Sequence, residues 1–326
     1  MTRGFLLFAI SLFVYTAVSA QLKWINVDSL FQPLLSSVHV FKTTDLLDGK
    51  PNIAYYVEAD LKDKKLNFTA DTTYQRRLTP SKFYEKNDKP LLVVNTTFFS
   101  FATNQNLNVV IKDSKLVGYN SHTINGRGKD TFTYRHPFGS AIGISNKREA
   151  DIAWLYTDST TKNPYASQWE IAALKDSLTI HDLKYYLYAT STGTHVMAPS
   201  LKKWKMKTAV GGGPVLLQNG EIKITNEEEL KFAGKAINDK HPRTAMGYTK
   251  DNKLIILVVE GRFPGIAEGT TLIQEAQIFK DLGCWEALNL DGGGSSCMLI
   301  NGKETIKVSD AAGQRPVPAV FIIKQR

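Results

Sequence analysis

Twice in this chain a glycine triplet runs into a short apolar stretch and then into an Asn-Gly pair. The two stretches are Gly211 to Ile222 (GGGPVLLQNGEI) and Gly292 to Glu304 (GGGSSCMLINGKE). An Asn-Gly pair after an apolar run is the strongest short-range signal for a two-residue hairpin, because both positions accept positive φ. A second recurrence accompanies it: a helix, then an apolar strand, then an asparagine, ending once at Asn95 and once at Asn289. The two recurrences suggest two sub-units of similar build around one cleft, without demonstrating a duplication. No linker rich in Pro, Gly or Ser interrupts the chain. The expectation is one strand-rich α+β domain with mixed and antiparallel sheets and a few helices.

The strands are read from short apolar runs: Asn52 to Leu61, Leu91 to Val94, Val215 to Leu217, Leu254 to Val259, Cys284 to Leu290 and Val317 to Lys324. Val109 to Val117 reads as a hairpin turning at Asp113-Ser114. Thr79 caps a short helix with Pro80 at its first position, and Pro90 stops it. Thr270 or Thr271 caps a second helix that ends before Gly283. Between these landmarks, Asp158 to Gln168 reads as a surface loop and Gln168 to Leu178 as a short helix. Tyr185 to Ala189 reads as a strand. Lys203 to Lys207 alternates like a half-buried strand, and Asn226 to Ala233 looks like a solvated acidic helix.

The N-terminus carries a targeting signal. Arg3 precedes a nearly unbroken apolar run from Phe5 to Val18, and Val18-Ser19-Ala20 supplies the small residues of a cleavage site. A secretory signal peptide over 1–20 is expected, cleaved after Ala20, leaving 21–326 as a secreted or periplasmic domain. The run is shorter than the roughly 20 residues of a membrane span, and no later segment is long enough, so no membrane span is expected. The 326 residues carry a net charge of +9, and losing Arg3 leaves about +8. Such a surface attracts anionic partners, yet export and the scatter of Lys and Arg argue against nucleic acid. Cys284 and Cys297 are too few for a thiolate zinc site, and a disulfide between them or two buried free thiols are both open. The six histidines show no short metal-ligand spacing. His195 and His241 read as structural histidines. No cofactor is expected, although Asp291 beside backbone carbonyls leaves a divalent ion open.

Nucleophile-elbow, P-loop and dinucleotide fingerprints are all missing from the sequence. What stands out is Asn289-Leu290-Asp291-Gly292-Gly293-Gly294-Ser295-Ser296. A buried strand pushes a carboxylate into a glycine loop, where backbone can approach a ligand closely and successive N–H groups can cradle an anion.

This segment, together with HPRTAMGYTKDNKLIILVVEG from His241 and EGTTLIQEAQIFKDLG from Glu268, resembles the phosphodiester glycosidase family. LLVVNTTFFS from Leu91, AVGGGPVLLQNG from Ala209 and SDAAGQRPVPAVFII from Ser309 are similar to further family elements. The resemblance runs from Ile53 to Ile323 and is densest after Thr208. One departure is Thr96-Thr97, where the family usually has two glycines. The resemblance implies a hydrolase that cleaves a sugar-1-phosphodiester, such as an N-acetylglucosamine-1-phosphodiester, at the anomeric carbon. Its partner would be that substrate or a phosphorylated glycan.

A phosphomonoester leaving group needs little general-acid help, so the site needs charge complementarity to phosphate and a carboxylate facing the oxocarbenium-like centre. On this reading Asp291 and Glu260 are the catalytic carboxylates. Arg243 is a bidentate phosphate clamp, with Arg315 as a second. Asn95 and Asn289 bind the sugar, while Ser295, Ser296 and the amides of Gly292, Gly293 and Gly294 hold phosphate oxygens. Arg243 pairing only with Asp291 is the plain alternative. A non-catalytic glycan-binding protein and a phosphoesterase cutting P–O remain open as other functions.

Overall fold

The computed structural model describes residues 21–192 and 201–326. The expected signal segment over 1–20 and His195 lie outside the described residues.

The apolar runs assemble into four sheets. The largest orders its eight strands as Ile25–Asn26, Val38–Thr43, Ala54–Asp60, Lys253–Val259, Arg243–Thr249, Cys284–Asn289, Val215–Gln218 and Glu221–Ile222. A five-stranded sheet runs Lys303–Glu304, Met298–Ile300, Leu92–Asn95, Ala319–Gln325, Leu66–Thr72. A seven-stranded sheet centres on Gly139–Ile144 and Ala150–Tyr156, and a small one holds Leu174–Asp176, Tyr134–His136 and Ile124–Asn125. Strand pairings among the described residues are antiparallel throughout, so the parallel component of a mixed sheet is not found there.

The central strands are apolar on both faces because both faces are covered. Leu254, Ile256 and Val258 join the core shared with Ile142, Trp154 and Phe321. Ile255, Leu257 and Val259 point the other way, onto Leu272, Ala276 and Phe279 of the helix Leu272–Asp281. That helix rests on Gly247, where an added Cβ would lie 2.9 Å from the Phe279 ring. Its start is a full capping box. Thr271 Oγ1 accepts from the Gln274 amide at 3.2 Å, and Gln274 Oε1 accepts from the Thr271 amide at 3.0 Å. Gly283, at φ +75°, ends it.

Both Asn-Gly pairs turn hairpins with positive φ at each position: Asn219 and Gly220 at 55° and 80°, Asn301 and Gly302 at 49° and 79°. The hairpins sit near the edges of different sheets. Val215–Gln218 pairs with Cys284–Asn289, and Met298–Ile300 pairs with Leu92–Asn95. Each glycine-triplet hairpin is therefore hydrogen-bonded to a strand that ends in one of the two asparagines.

Several local expectations are corrected. Gln168 to Leu178 is not helical: Leu174–Asp176 pairs with Tyr134–His136, and Leu178 is exposed, so no apolar helical face exists. Tyr185 to Ala189 lies within a helix, Leu183–Thr192, whose start is held by Asp182 Oδ1 accepting from the Tyr185 amide at 2.8 Å. Part of the presumed 158–168 loop is the strand Tyr165–Ser167. In the Lys203 to Lys207 stretch only Lys203 is paired, and Trp204 turns inward to donate to Asp151 Oδ2 at 2.5 Å. The acidic segment makes a single helical turn, Asn226–Glu229, ended by Leu230 at φ +52°. Glu229 is buried rather than solvated. It accepts from the Ser140 amide and hydroxyl, the Thr225 hydroxyl, the Val215 amide and the Trp154 indole at 2.6–3.2 Å. Cys284 and Cys297 are buried free thiols in separate clusters, which resolves the disulfide question. Among the described residues no helix is long and apolar enough to cross a membrane.

The capping box gives a direct test. Thr271→Ala should cost about 1 kcal/mol, or about 2 °C in Tm, with Thr271→Ser close to wild type, as measured by thermal melts.

Candidate active site

Three strand ends meet at the glycine loop. Past Asn289, the Leu290 amide donates to Thr244 O at 2.8 Å and the Asp291 amide donates to Thr96 O at 2.7 Å. The loop is thereby threaded between the ends of the eight-stranded and five-stranded sheets. Asn95 fastens the junction: its Nδ2 donates to Asp291 O at 2.5 Å, and its Oδ1 accepts from the Thr244 hydroxyl at 2.9 Å and the Cys297 amide at 3.0 Å. With those bonds made, Asn95 holds backbone rather than presenting an open sugar-binding edge. Asn289 donates to Gly213 O at 2.7 Å, and its Oδ1 is buried without a partner.

Gly292 is required by the backbone packed on it, Gly293 by its positive φ, and Gly294 leaves room for a guanidinium. A Cβ on Gly292 would lie 2.8 Å from Pro242 O. On Gly294 it would lie 2.1 Å from Arg315 Nη2, and on Gly293, at φ +61°, 2.9 Å from Arg262 Nη2. Two guanidinium groups therefore rest against the loop. The three-amide anion cradle is corrected: the Gly293 amide donates to Pro242 O at 2.7 Å, and the Gly292 amide is turned to the Asp291 carboxylate.

Asp291 sits in the middle. Burial pushes its carboxyl up to about 7, while the Ser295 hydroxyl, the Arg315 charge and the Gly292 amide oppose the rise. Ser295 lies close enough to act on the carboxylate, yet neither Asp291 Oδ2 nor Ser295 Oγ closes a hydrogen bond. Ser296 Oγ, Thr96 Oγ1 and Thr97 Oγ1 are likewise buried and unpartnered. These groups come from two segments, 96–97 and 291–296, whereas buried polar groups are ordinarily satisfied.

The remaining expected residues divide. Arg315 fits the site: Asp310 Oδ2 accepts from its Nε at 2.7 Å, aiming the far end of the guanidinium at Gly294. Arg243 departs from the expected clamp. It is buried, with Nε donating to Thr270 O at 3.0 Å and Nη2 to Asp239 O at 3.1 Å. Its charge faces Glu275, a carboxyl that burial raises to about 8 against the pull of Arg243, and not Asp291. Glu260 is buried too, where its Oε2 accepts from the Lys307 amide at 2.8 Å. His241 pairs through its backbone with Thr270. Its ring is pushed below the ordinary histidine range by burial and by Arg243 and Arg262.

A cavity of about 340 Å³ lies next door, lined by Phe98, Asn108, Asn120, Pro137, Glu229 and Lys231. Gly212 packs on Asn289 and Gly213 on Glu229, so this turn separates the cavity from the Asp291 loop. The raised carboxyl, the unpartnered hydroxyls and the arginines lie together at the loop and not in this cavity.

The profile of the family described as phosphodiester glycosidase matches residues 88–324. The chain belongs to the phosphodiester glycosidase family. Among individual proteins, it is 37% identical over 86 residues to the SPbeta prophage-derived uncharacterized protein YomE of Bacillus subtilis, covering 26% of this chain and 13% of that one. It is 28% identical over 95 residues to the mouse N-acetylglucosamine-1-phosphodiester α-N-acetylglucosaminidase, covering 27% of this chain and 18% of the mouse protein. These matches span less than a fifth of either relative. The zebrafish enzyme of the same name, solved as a catalytic domain auto-inhibited by its pro-peptide, superposes with a TM-score of 0.57 at 20% identity. That superposition covers 94% of this chain and 89% of the zebrafish one, and at this identity the likeness is one of fold.

Within the phosphodiester glycosidase fold, the Thr96-Thr97 departure now has a location. Both threonines are buried at the loop, adding two hydroxyls to the unpartnered set. Arg262, Glu229 and Glu275 were not singled out from sequence. For Arg262 the available signal was its place directly after Glu260-Gly261 at the end of an apolar strand.

The raised carboxyl has a consequence for stability. In the unfolded chain Asp291 ionises near 3.8, and in the folded protein at about 7, so folding favours the proton. The folded state is penalised progressively as pH rises through that window, and fully above about pH 7. Asp291→Asn should melt like wild type near pH 4 and gain through the window, by at most about 4 kcal/mol near pH 8. Glu275 and Glu286, also raised by burial, titrate in both proteins and cancel. A difference that stays constant from about pH 4 to 8 would contradict the burial of this carboxyl.

Proposed function

We propose that this protein is an exported hydrolase that cleaves a sugar-1-phosphodiester, such as an N-acetylglucosamine-1-phosphodiester, between the anomeric carbon and its oxygen. The observation that carries this reading is the part-buried Asp291 carboxyl, its Oδ2 shut away among unpartnered hydroxyls, with Arg262 and Arg315 against its glycine loop. One side of such a site suits a phosphate dianion or monoanion, and the other suits positive charge developing at carbon.

In the reaction, the C1–O bond breaks and its electron pair leaves with the phosphomonoester. Water supplies the hydroxyl at C1, and its other proton passes to the Asp291 carboxylate and from there to solvent or the phosphomonoester. Arg315, oriented by Asp310, and Arg262 take the charge accumulating on the phosphate oxygens. The Ser295 and Ser296 hydroxyls donate to the same oxygens. Asp291 faces the oxocarbenium-like centre, and a pKa of about 7 leaves it ionised in a useful fraction at neutral pH. Glu260 and Arg243 act on position. Glu260 holds the Lys307 amide, and Arg243 ties the Thr270 and Asp239 carbonyls beneath the loop. The N-terminal apolar segment with Val18-Ser19-Ala20 supports export with cleavage after Ala20.

Single-turnover hydrolysis of a sugar-1-phosphodiester by Asp291→Asn tests the assignment. Turnover should fall by about 10³-fold or more although the variant is at least as stable as wild type at neutral pH. Arg315→Lys keeps charge but loses the fork, and should cost about 10- to 100-fold in kcat/KM. Wild-type turnover in ¹⁸O water should place the label in the sugar. Label in phosphate would reassign the reaction to P–O cleavage, and no turnover on any such diester would leave a glycan-binding protein.

A further inference from the structure

Among the described residues, one group of His, Cys, Asp and Glu side chains gathers its ligand atoms around a common point: His136, Asp176 and His181, all within 4.8 Å of one another. Strand pairing builds it. Tyr134–His136 and Leu174–Asp176 are neighbours in the small sheet, with His136 aligned to Leu174 and Asp176 to Tyr134. His181 follows on the short segment that enters the helix Leu183–Thr192. Both imidazoles are almost wholly buried, at 1% and 2% side-chain exposure, while Asp176 is partly open at 28%. His136 Nε2 lies 3.4 Å from Asp176 Oδ1, and His181 Nε2 lies 2.7 Å from Asp176 Oδ2.

The surroundings of His136 say more. The Thr123 hydroxyl donates to Thr179 O at 3.0 Å, which turns an oxygen lone pair toward His136 Nδ1 at 3.4 Å. Acceptors thus face both ring nitrogens, and with an ion bound at Nε2 the ring proton would sit on Nδ1, held by Thr123. That Nε2 then faces acceptors alone: Asp176 Oδ1 and the Leu178 carbonyl oxygen at 3.1 Å. A ring proton on Nε2 would satisfy the Leu178 carbonyl alone, whereas a cation would engage His136, His181 and Asp176 together, whose ligand atoms lie within 4.8 Å of one another. A tetrahedral zinc with bonds of 2.0–2.2 Å holds its ligand atoms about 3.4 Å apart, a spacing bracketed by the 2.7 Å and 3.4 Å contacts and the 4.8 Å limit of the group.

We propose that His136 Nε2, His181 Nε2 and the Asp176 carboxylate bind a divalent first-row transition metal ion, zinc foremost. Thr123 orients His136, and the Leu178 carbonyl stands beside the fourth position. Two imidazoles and one carboxylate match this class of ion and not calcium or magnesium, which take oxygen ligands. The ion would pin the helix Leu183–Thr192 to the small sheet, and Tyr156, donating to His181 O at 3.2 Å, ties that junction to the seven-stranded sheet. None of these residues belongs to the glycine-loop site, so the proposal stands apart from the hydrolase reading.

The test is metal binding by the whole protein, stripped with a chelator and then titrated. Zinc chloride should bind saturably at one equivalent in calorimetry, and cobalt should give the visible absorption of a four-coordinate nitrogen–oxygen site. His181→Ala and Asp176→Asn should each weaken zinc binding by about 100-fold or more, and Thr123→Val by about 10-fold. Circular dichroism confirms the fold of each variant. Replacing buried His136 risks unfolding, so the exposed-edge Asp176→Asn and the outer Thr123→Val carry the result. Wild-type protein that takes up no zinc, or zinc affinity unchanged in Asp176→Asn and Thr123→Val, would overturn the assignment.

Discussion

The side chain of Asn95 is the joint on which the candidate site depends. It ends a strand of the five-stranded sheet, yet it accepts from Thr244 in the eight-stranded sheet and donates to the carbonyl of Asp291. Its second accepted bond, from the Cys297 amide, closes the far side of the same loop. A single amide thus sets two sheets and the glycine loop in register. Few other side chains could do so, because the position needs a donor and a doubly accepting oxygen on one short stem. Loss of one partner would leave buried backbone groups unpaired, and that costs more than the bond itself contributes.

Around this joint the polar groups are sorted by depth. Arg243 and Glu275 lie beneath the loop, each limiting the cost of burying the other. Arg262 and Arg315 lie against it. The layering gives arginines from different segments different duties. A guanidinium whose nitrogens donate to backbone carbonyls supports the architecture, and one held by a carboxylate at its Nε end has its far end to offer.

Much of this was legible before any coordinates. Strands ending at Asn95 and Asn289, the Thr271 cap, the Gly283 stop and both Asn-Gly turns follow from local rules, and in these segments local preference and tertiary packing agree. Over 158–189 and 203–207 the two disagree. The aromatic run from Tyr185 favours a strand by composition, but Asp182 supplies a helix cap and Tyr186 packs into the core. Glu229 looked solvated because three glutamates stand in a row, and only the fold turns the last of them inward. For the site, the loop and its carboxylate were visible as a motif, whereas the aim of each arginine was not. Side-chain direction is decided by neighbours far along the chain, as when Asp310 orients Arg315.

The two thiols carry a consequence of a different kind. Cys284 lies against the helix Leu272–Asp281 and Cys297 beside Phe83 and Val93, each buried and each with burial raising its pKa above the ordinary thiol range. Thiolate is the reactive form, and both sites suppress it. Once the chain is folded, neither thiol needs an oxidant to mature, and neither offers a thiolate for one to attack. The two thiols therefore stay as they are in a reducing or an oxidising medium.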